Sequence, residues 1–120
     1  MSNFSFDELE FFAAVKSRPG LYFGHPSLIS LRDHLFGMQY AFSVCGKKDA
    51  LKYFTGFIEW YNRHLFESDK NGYACWWNHI LYTSGNMDEL AFSAFFRTFE
   101  AYLLEEYDVK LPHSSVRQSS

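Results

Sequence analysis

Cysteine, proline, basic charge and long apolar runs are all scarce in this 120-residue chain, and each scarcity excludes something. Two cysteines, Cys45 and Cys75, are too few for a disulfide framework. No stretch approaches the roughly 18 consecutive apolar residues that a membrane-spanning helix needs. The opening Met1-Ser2-Asn3-Phe4-Ser5-Phe6-Asp7 lacks the basic-then-apolar pattern of a secretory signal, so a reducing cytoplasm is the expected compartment. Eleven Lys and Arg against 14 Asp and Glu leave a net charge of −3. That balance argues against a general nucleic-acid binder, which carries a basic stripe. The nucleophile-elbow GxSxG, the zinc-binding HExxH, the phosphate-cradling GxxxxGK[ST] and the dinucleotide-binding GxGxxG are all missing. No cofactor, no metal and no catalytic centre are therefore expected.

What the chain has instead is rings: 14 Phe, 8 Tyr and 3 Trp. A length of 120 residues fits one domain able to form a core without staples. So many aromatics predict both a Phe-rich interior and an exposed patch of the kind that marks binding surfaces.

Apolar spacing predicts an all-α single domain of about five helices over residues 1–112, with a disordered polar tail over 113–120. The first helix is expected after Ser5, with Glu8 three residues on as a capping box, and ends before Arg18-Pro19-Gly20. The second follows Pro26-Ser27 and repeats Leu28, Leu31, Leu35, Met38, Phe42 and Cys45, with Gly46 as its left-handed cap. The third begins at Asp49 or Ala50 and shows Leu51, Phe54, Ile58, Tyr61 and Leu65 before the loop-like Glu67 to Gly72. A short fourth, about Tyr73 to Thr83, carries Trp76, Trp77, Ile80 and Leu81. A fifth opens at Asn86, read as its N-cap with Glu89, and runs through Leu90, Phe92, Phe95, Phe96, Phe99 and Leu103 to about Glu106. Gly37 and Gly56 interrupt the second and third helices at a cost of about 1 kcal/mol each, which predicts that those two helices cross closely there.

The best chemical pairing is Cys75 with His79, one turn apart on a helix. A thiolate–imidazole dyad would need an orienting third group, and a zinc site would have to recruit Cys45, His25, His34 or His64 from distant positions. Packing is the simpler role for both residues. A small-molecule binder or enzyme built on His34, Cys75 or His79 is a third class of reading.

One charge arrangement runs against helix electrostatics. Glu105, Glu106 and Asp108 fall at the expected end of the last helix, with Glu100 one to two turns earlier. Negative charge there opposes the helix dipole by roughly 0.3–1 kcal/mol per group. A local rule broken without gain points to function, and an acidic patch beside aromatics would steer a basic partner. A solvated helix end softened by Lys110 and Arg97 is the plainer alternative.

Arg18-Pro19-Gly20-Leu21-Tyr22-Phe23-Gly24 is the one distinctive short motif. Read structurally, Pro19 and Gly20 make a turn and Gly24 permits another, while Leu21, Tyr22 and Phe23 pin the loop and Arg18 donates to carbonyls or a carboxylate. The stretch looks like one near the start of type II topoisomerase ATPase subunits. The helix that follows, Leu31 to Tyr40, lacks that family's Glu, Asn and Asp, and the chain is too short for such a domain. Taken with Ser27, Leu28, Leu31, Phe36, Gly37, the tryptophan-bearing segment and the closing Phe-rich helix, the motif is similar to small helical immunity proteins of bacterial polymorphic-toxin loci. These include immunity proteins of contact-dependent growth inhibition. The resemblance spans most of residues 10 to 105. It implies a single-domain cytoplasmic inhibitor that binds one cognate toxin, many of which are basic nucleases, and blocks its active site or substrate access. The alternative is a helical interaction or regulatory module, homodimeric through exposed aromatics.

Overall fold

The computed structural model describes residues 6–65 and 76–112, and these are almost wholly helical, with no strand among them. The order is α1 (Glu8–Ser17), α2 (Pro19–Phe23), α3 (Leu28–Val44), a 3-10 turn (Lys48–Leu51), α4 (Lys52–Leu65), α5 (Trp76–Thr83) and α6 (Asp88–Tyr107). The all-α expectation holds. Among the described residues six helices stand where five were expected, because the Arg18–Gly24 stretch is not a plain turn. Pro19, with its φ already fixed and no N–H to satisfy, starts the five-residue α2. Gly24 ends it at φ 81°. Its side chains divide: Phe23 packs against the core, whereas Leu21 and Tyr22 are exposed. The expected tail at 113–120, the loop from Glu67 to Gly72 and the first turn of the tryptophan helix lie outside the described residues.

α6 is the central element. Ala91, Phe92, Phe95, Phe96, Phe99, Tyr102 and Leu103 line its buried side at steps of three and four, while Leu90, placed on that face by the sequence, is exposed. Around it, Phe12 of α1 lies 4.6 Å from Phe99, and Phe57 of α4 meets Phe95 and Phe99 edge-on at 5.4 Å. Each such pair contributes roughly 0.5–1.5 kcal/mol beyond the area it buries. The buried stripe of α4 is Phe54, Phe57, Trp60 and Tyr61, and Ile58 only borders it.

The helix ends correct two readings and show how distant segments lock. Asp7 caps α1 by accepting the Glu10 N–H at 3.1 Å, while Ser5, read as the start of a capping box with Glu8, lies outside the described residues. Glu8 turns inward and caps another helix, α4, by accepting the N–H groups of Tyr53 at 2.9 Å and Phe54 at 2.7 Å. Ser27 caps α3, its hydroxyl accepting the Ser30 N–H at 3.0 Å. Asn86, read as an N-cap, belongs to the end of α5: its N–H donates to the Leu81 carbonyl at 2.8 Å beside left-handed Gly85. The acid that serves a helix start is Asp88, and the helix is α3. Asp88 accepts the Ser27 hydroxyl at 2.5 Å and the Ile29 N–H at 3.1 Å.

The glycines do not mark an α3–α4 crossing. At Gly56 a Cβ would overlap the Tyr102 hydroxyl, so the close approach there is to α6. Gly37 is exposed, and nothing lies within 4 Å of where its Cβ would be. Among the described residues, no helix is long and apolar enough to cross a membrane.

Candidate partner-binding surface

The end of α6 brings three carboxylates together within four residues. Glu105, Glu106 and Asp108 are exposed, and the last turn contains no basic residue. His64 of α4 stands near them, its Nε2 3.9 Å from a Glu105 oxygen, and Lys110 follows two residues after Asp108. Asp108 terminates the helix in the left-handed region, at φ 55°. Its N–H donates to the Leu104 carbonyl at 3.0 Å. A short polar side chain tolerates that geometry better than most, though glycine would be freer. Leu104 and Tyr107, each about half exposed, lie between the carboxylates and give the acidic end an apolar centre.

Aromatic packing holds this end rigid from beneath. Trp60 stacks on His64 at 5.2 Å and meets Tyr102 at 5.6 Å. Tyr107 bridges Tyr53 at 4.9 Å and Tyr102 at 5.9 Å. Burial, with the Tyr107 hydroxyl and the Glu106 charge nearby, pushes the Tyr102 phenol well above its usual range. The Trp60 indole nitrogen is buried with no hydrogen-bond partner among the described residues. Trp60 was invisible as a site element in the sequence, since its aromatic character reads equally well as core.

Glu100 does not join the other three. Two turns earlier on α6, its carboxylate is held by the Lys16 ammonium of α1 at 2.5 Å. That pair spans a groove of about 470 Å³ lined by Lys16, Phe92, Ser93, Phe96, Arg97 and Glu100. A periodic reading groups acids by nearness in sequence, and it could not show which of them α1 would engage.

Among the described residues, the histidines and Cys45 form no cluster. Cys45 is exposed at the end of α3. His34 stacks on Phe11 and takes the edge of Phe23, both at 5.9 Å. His79 shares a 2.7 Å hydrogen bond with the Tyr61 hydroxyl, tying α5 to α4, and burial pushes that phenol up to about 12. Cys75, the proposed companion of His79, lies outside the described residues. No three His, Cys, Asp or Glu side chains converge as metal ligands among the described residues.

The Arg18–Gly24 motif supplies structure in the described chain. Pro19 starts α2, Gly20 accepts the Gly24 N–H through its carbonyl at 3.1 Å, and Tyr22 meets the Phe11 ring edge-on at 6.3 Å. Arg18 is half-buried between α1 and α2.

Glu8 is the strongly perturbed carboxyl. It is only 6% exposed, and desolvation pushes it up to about 7 against the opposing pull of two amide hydrogen bonds and Lys52. Sequence reasoning placed Glu8 at a helix start, where acids are common, and nothing in the local pattern signals that it points to a different helix.

Compared with protein-family models, with curated proteins and with solved structures, the chain finds no match.

Proposed function

We propose that this chain is an immunity protein: a cytoplasmic, stoichiometric inhibitor that binds a cognate bacterial toxin and covers its active site or substrate path. It acts by binding, not by turnover. The observation that carries the reading is the end of α6, where three exposed carboxylates stand without a basic neighbour in the last turn. A helix end that concentrates negative charge against its own dipole sacrifices stability. The arrangement becomes intelligible if a basic surface supplies the missing positive charge on binding. Half-exposed Leu104 and Tyr107 give such an interface the apolar centre that charge alone does not provide. A nuclease toxin, basic because its substrate is anionic, is the partner class that fits best. The resemblance of the Arg18–Gly24 motif and its helical surroundings to immunity proteins supports the same reading.

The test is genetic and then biochemical. The reading frame upstream is expected to encode a large secreted protein with a variable C-terminal domain. That domain, expressed alone, is expected to arrest growth, and co-expression of this chain is expected to restore it. Failure to protect overturns the proposal.

A further inference from the structure

α3 carries two apolar faces, and only one is used. Leu28, Leu31 and Leu35 are buried on the inner face. On the opposite face, Ile29, Phe36, Tyr40 and Val44 are all exposed, Tyr40 at 75% and Val44 at 68%. At about 100° per residue these four fall within a single sector, roughly 150° from the centre of the buried stripe. Asp33 lies in the same sector, at the spacing that continues the seam. Gly37 borders it, an exposed glycine in a helix interior with open space around its missing side chain. Ala41, also exposed, follows one turn later. Gly37 costs the helix about 1 kcal/mol and no contact within the described fold requires it.

We infer that this face is a homodimer interface in which α3 packs antiparallel against α3 of a second copy, across a two-fold axis at the Phe36–Gly37 step. The register follows from the chain. The stripe runs from Ile29 to Val44, so its midpoint falls between Phe36 and Gly37. An axis there pairs Ile29 of each copy with Val44 of the other and seats Phe36 over the gap at Gly37. It also sets Asp33 opposite the Tyr40 hydroxyl, which can donate to it. Asp33 is already oriented by Arg32, which holds it at 2.7 and 2.9 Å while lying over the Trp77 ring at 4.4 Å. Charge selects the same direction. A parallel pairing would set Asp33 against Asp33 and Lys47–Lys48 against their own copies. The antiparallel one separates the two aspartates by about 10 Å along the axis and aligns the helix dipoles head to tail. An isologous contact of this kind closes on itself and leaves the end of α6 out of the pairing.

Sedimentation velocity of the full chain over a roughly hundredfold concentration range is the test. A reversible monomer–dimer equilibrium is expected. Tyr40→Glu, which sets a charge against Asp33, is expected to weaken association at least tenfold with an unchanged helical spectrum. Gly37→Leu separates this from a folding defect: measured at monomeric dilution it raises the melting temperature, and at high concentration it weakens the dimer. Reversal of Glu105, Glu106 and Asp108 is expected to leave the dimer intact, so the interface stands or falls independently of toxin binding. A chain that stays monomeric throughout overturns the proposal and leaves the face to a different protein. So does a dimer indifferent to both Tyr40→Glu and Gly37→Leu.

Discussion

The Glu8 carboxylate accepts the Phe54 N–H at 2.7 Å across 46 positions of sequence, so the first residue of α1 closes the start of α4. A second oxygen takes the Tyr53 N–H. This is helix capping done in trans, by a side chain that is itself buried. The geometry suits an ionised acid, but burial acts more strongly in the other direction and lifts the group to about 7.

A pH dependence follows from that balance. Because the folded state holds the Glu8 proton more tightly than the unfolded chain does, its contribution is fully present below about 4.5 and is lost as pH rises through about 7. Wild-type stability is expected to fall across that window by on the order of 2–3 kcal/mol relative to Glu8→Gln, whose neutral amide does not titrate. Urea midpoints for the two proteins at pH 5 and pH 8 check it. Parallel pH profiles would show that Glu8 titrates as an ordinary carboxyl.

The two interior glycines are expected to respond with opposite signs to the same change. Gly56→Ala drives a methyl into the Tyr102 hydroxyl, and Tyr102 is buried and cannot swing clear. A loss of roughly 1–3 kcal/mol is expected. Gly37→Ala adds a methyl to open space and a better helix former, a gain of up to about 1 kcal/mol in the monomer. Thermal melts at low concentration read both. A second Gly56→Ala melt in a Tyr102→Phe background is expected to recover part of the loss, which ties it to the hydroxyl.

These glycines also show where the sequence stops being informative. Periodicity located α3 and α6 almost to the residue, because their apolar side chains recur at three and four over several turns and both helices bury one long face. Gly46 announced its left-handed cap for an equally local reason. Contacts between segments left no such trace. Gly56 signals a close approach without saying to which helix, and Glu8 and Asp88 look like acids at their own helix starts although each serves another helix. The same limit applies to the acidic end: four carboxylates could be listed, but only packing shows Lys16 taking Glu100. Phe36, Tyr40 and Val44 fell outside the buried series, yet apolar spacing cannot say whether a second apolar face is covered.

Asp88 provides a cleaner test of capping in trans. It takes both the Ser27 hydroxyl and the Ile29 N–H, so Asp88→Ala leaves two donors at the start of α3 without their acceptor. A loss of roughly 1–2 kcal/mol is expected. Ser27→Ala removes one donor and the local cap together, and the double variant is expected to fall short of the sum because the two share one network. Strict additivity in chemical denaturation would mean that the two caps act independently.

The acidic end of α6 yields the prediction that separates function from stability. Glu105→Lys, Glu106→Lys and Asp108→Lys each replace a charge that opposes the helix dipole with one that favours it, so each is expected to leave the fold unharmed or to stabilise it by up to about 1 kcal/mol. Asp108 carries a reservation of conformation, since its φ of 55° suits Asp or Asn better than Lys, and Asp108→Asn is the safer neutral variant there. For association with a basic toxin the sign reverses. Removing the attracting field slows encounter, and the triple reversal is expected to lower the association rate by roughly tenfold or more at low salt, converging on the wild-type rate as salt screens both. Glu100→Gln serves as the internal comparison: its carboxylate is held by Lys16, so its loss is expected to change stability modestly and the association rate hardly at all. Stopped-flow association with the toxin domain at two ionic strengths distinguishes the cases. Equal rates for the triple reversal and wild type would mean that the carboxylates merely face solvent, whatever the partner.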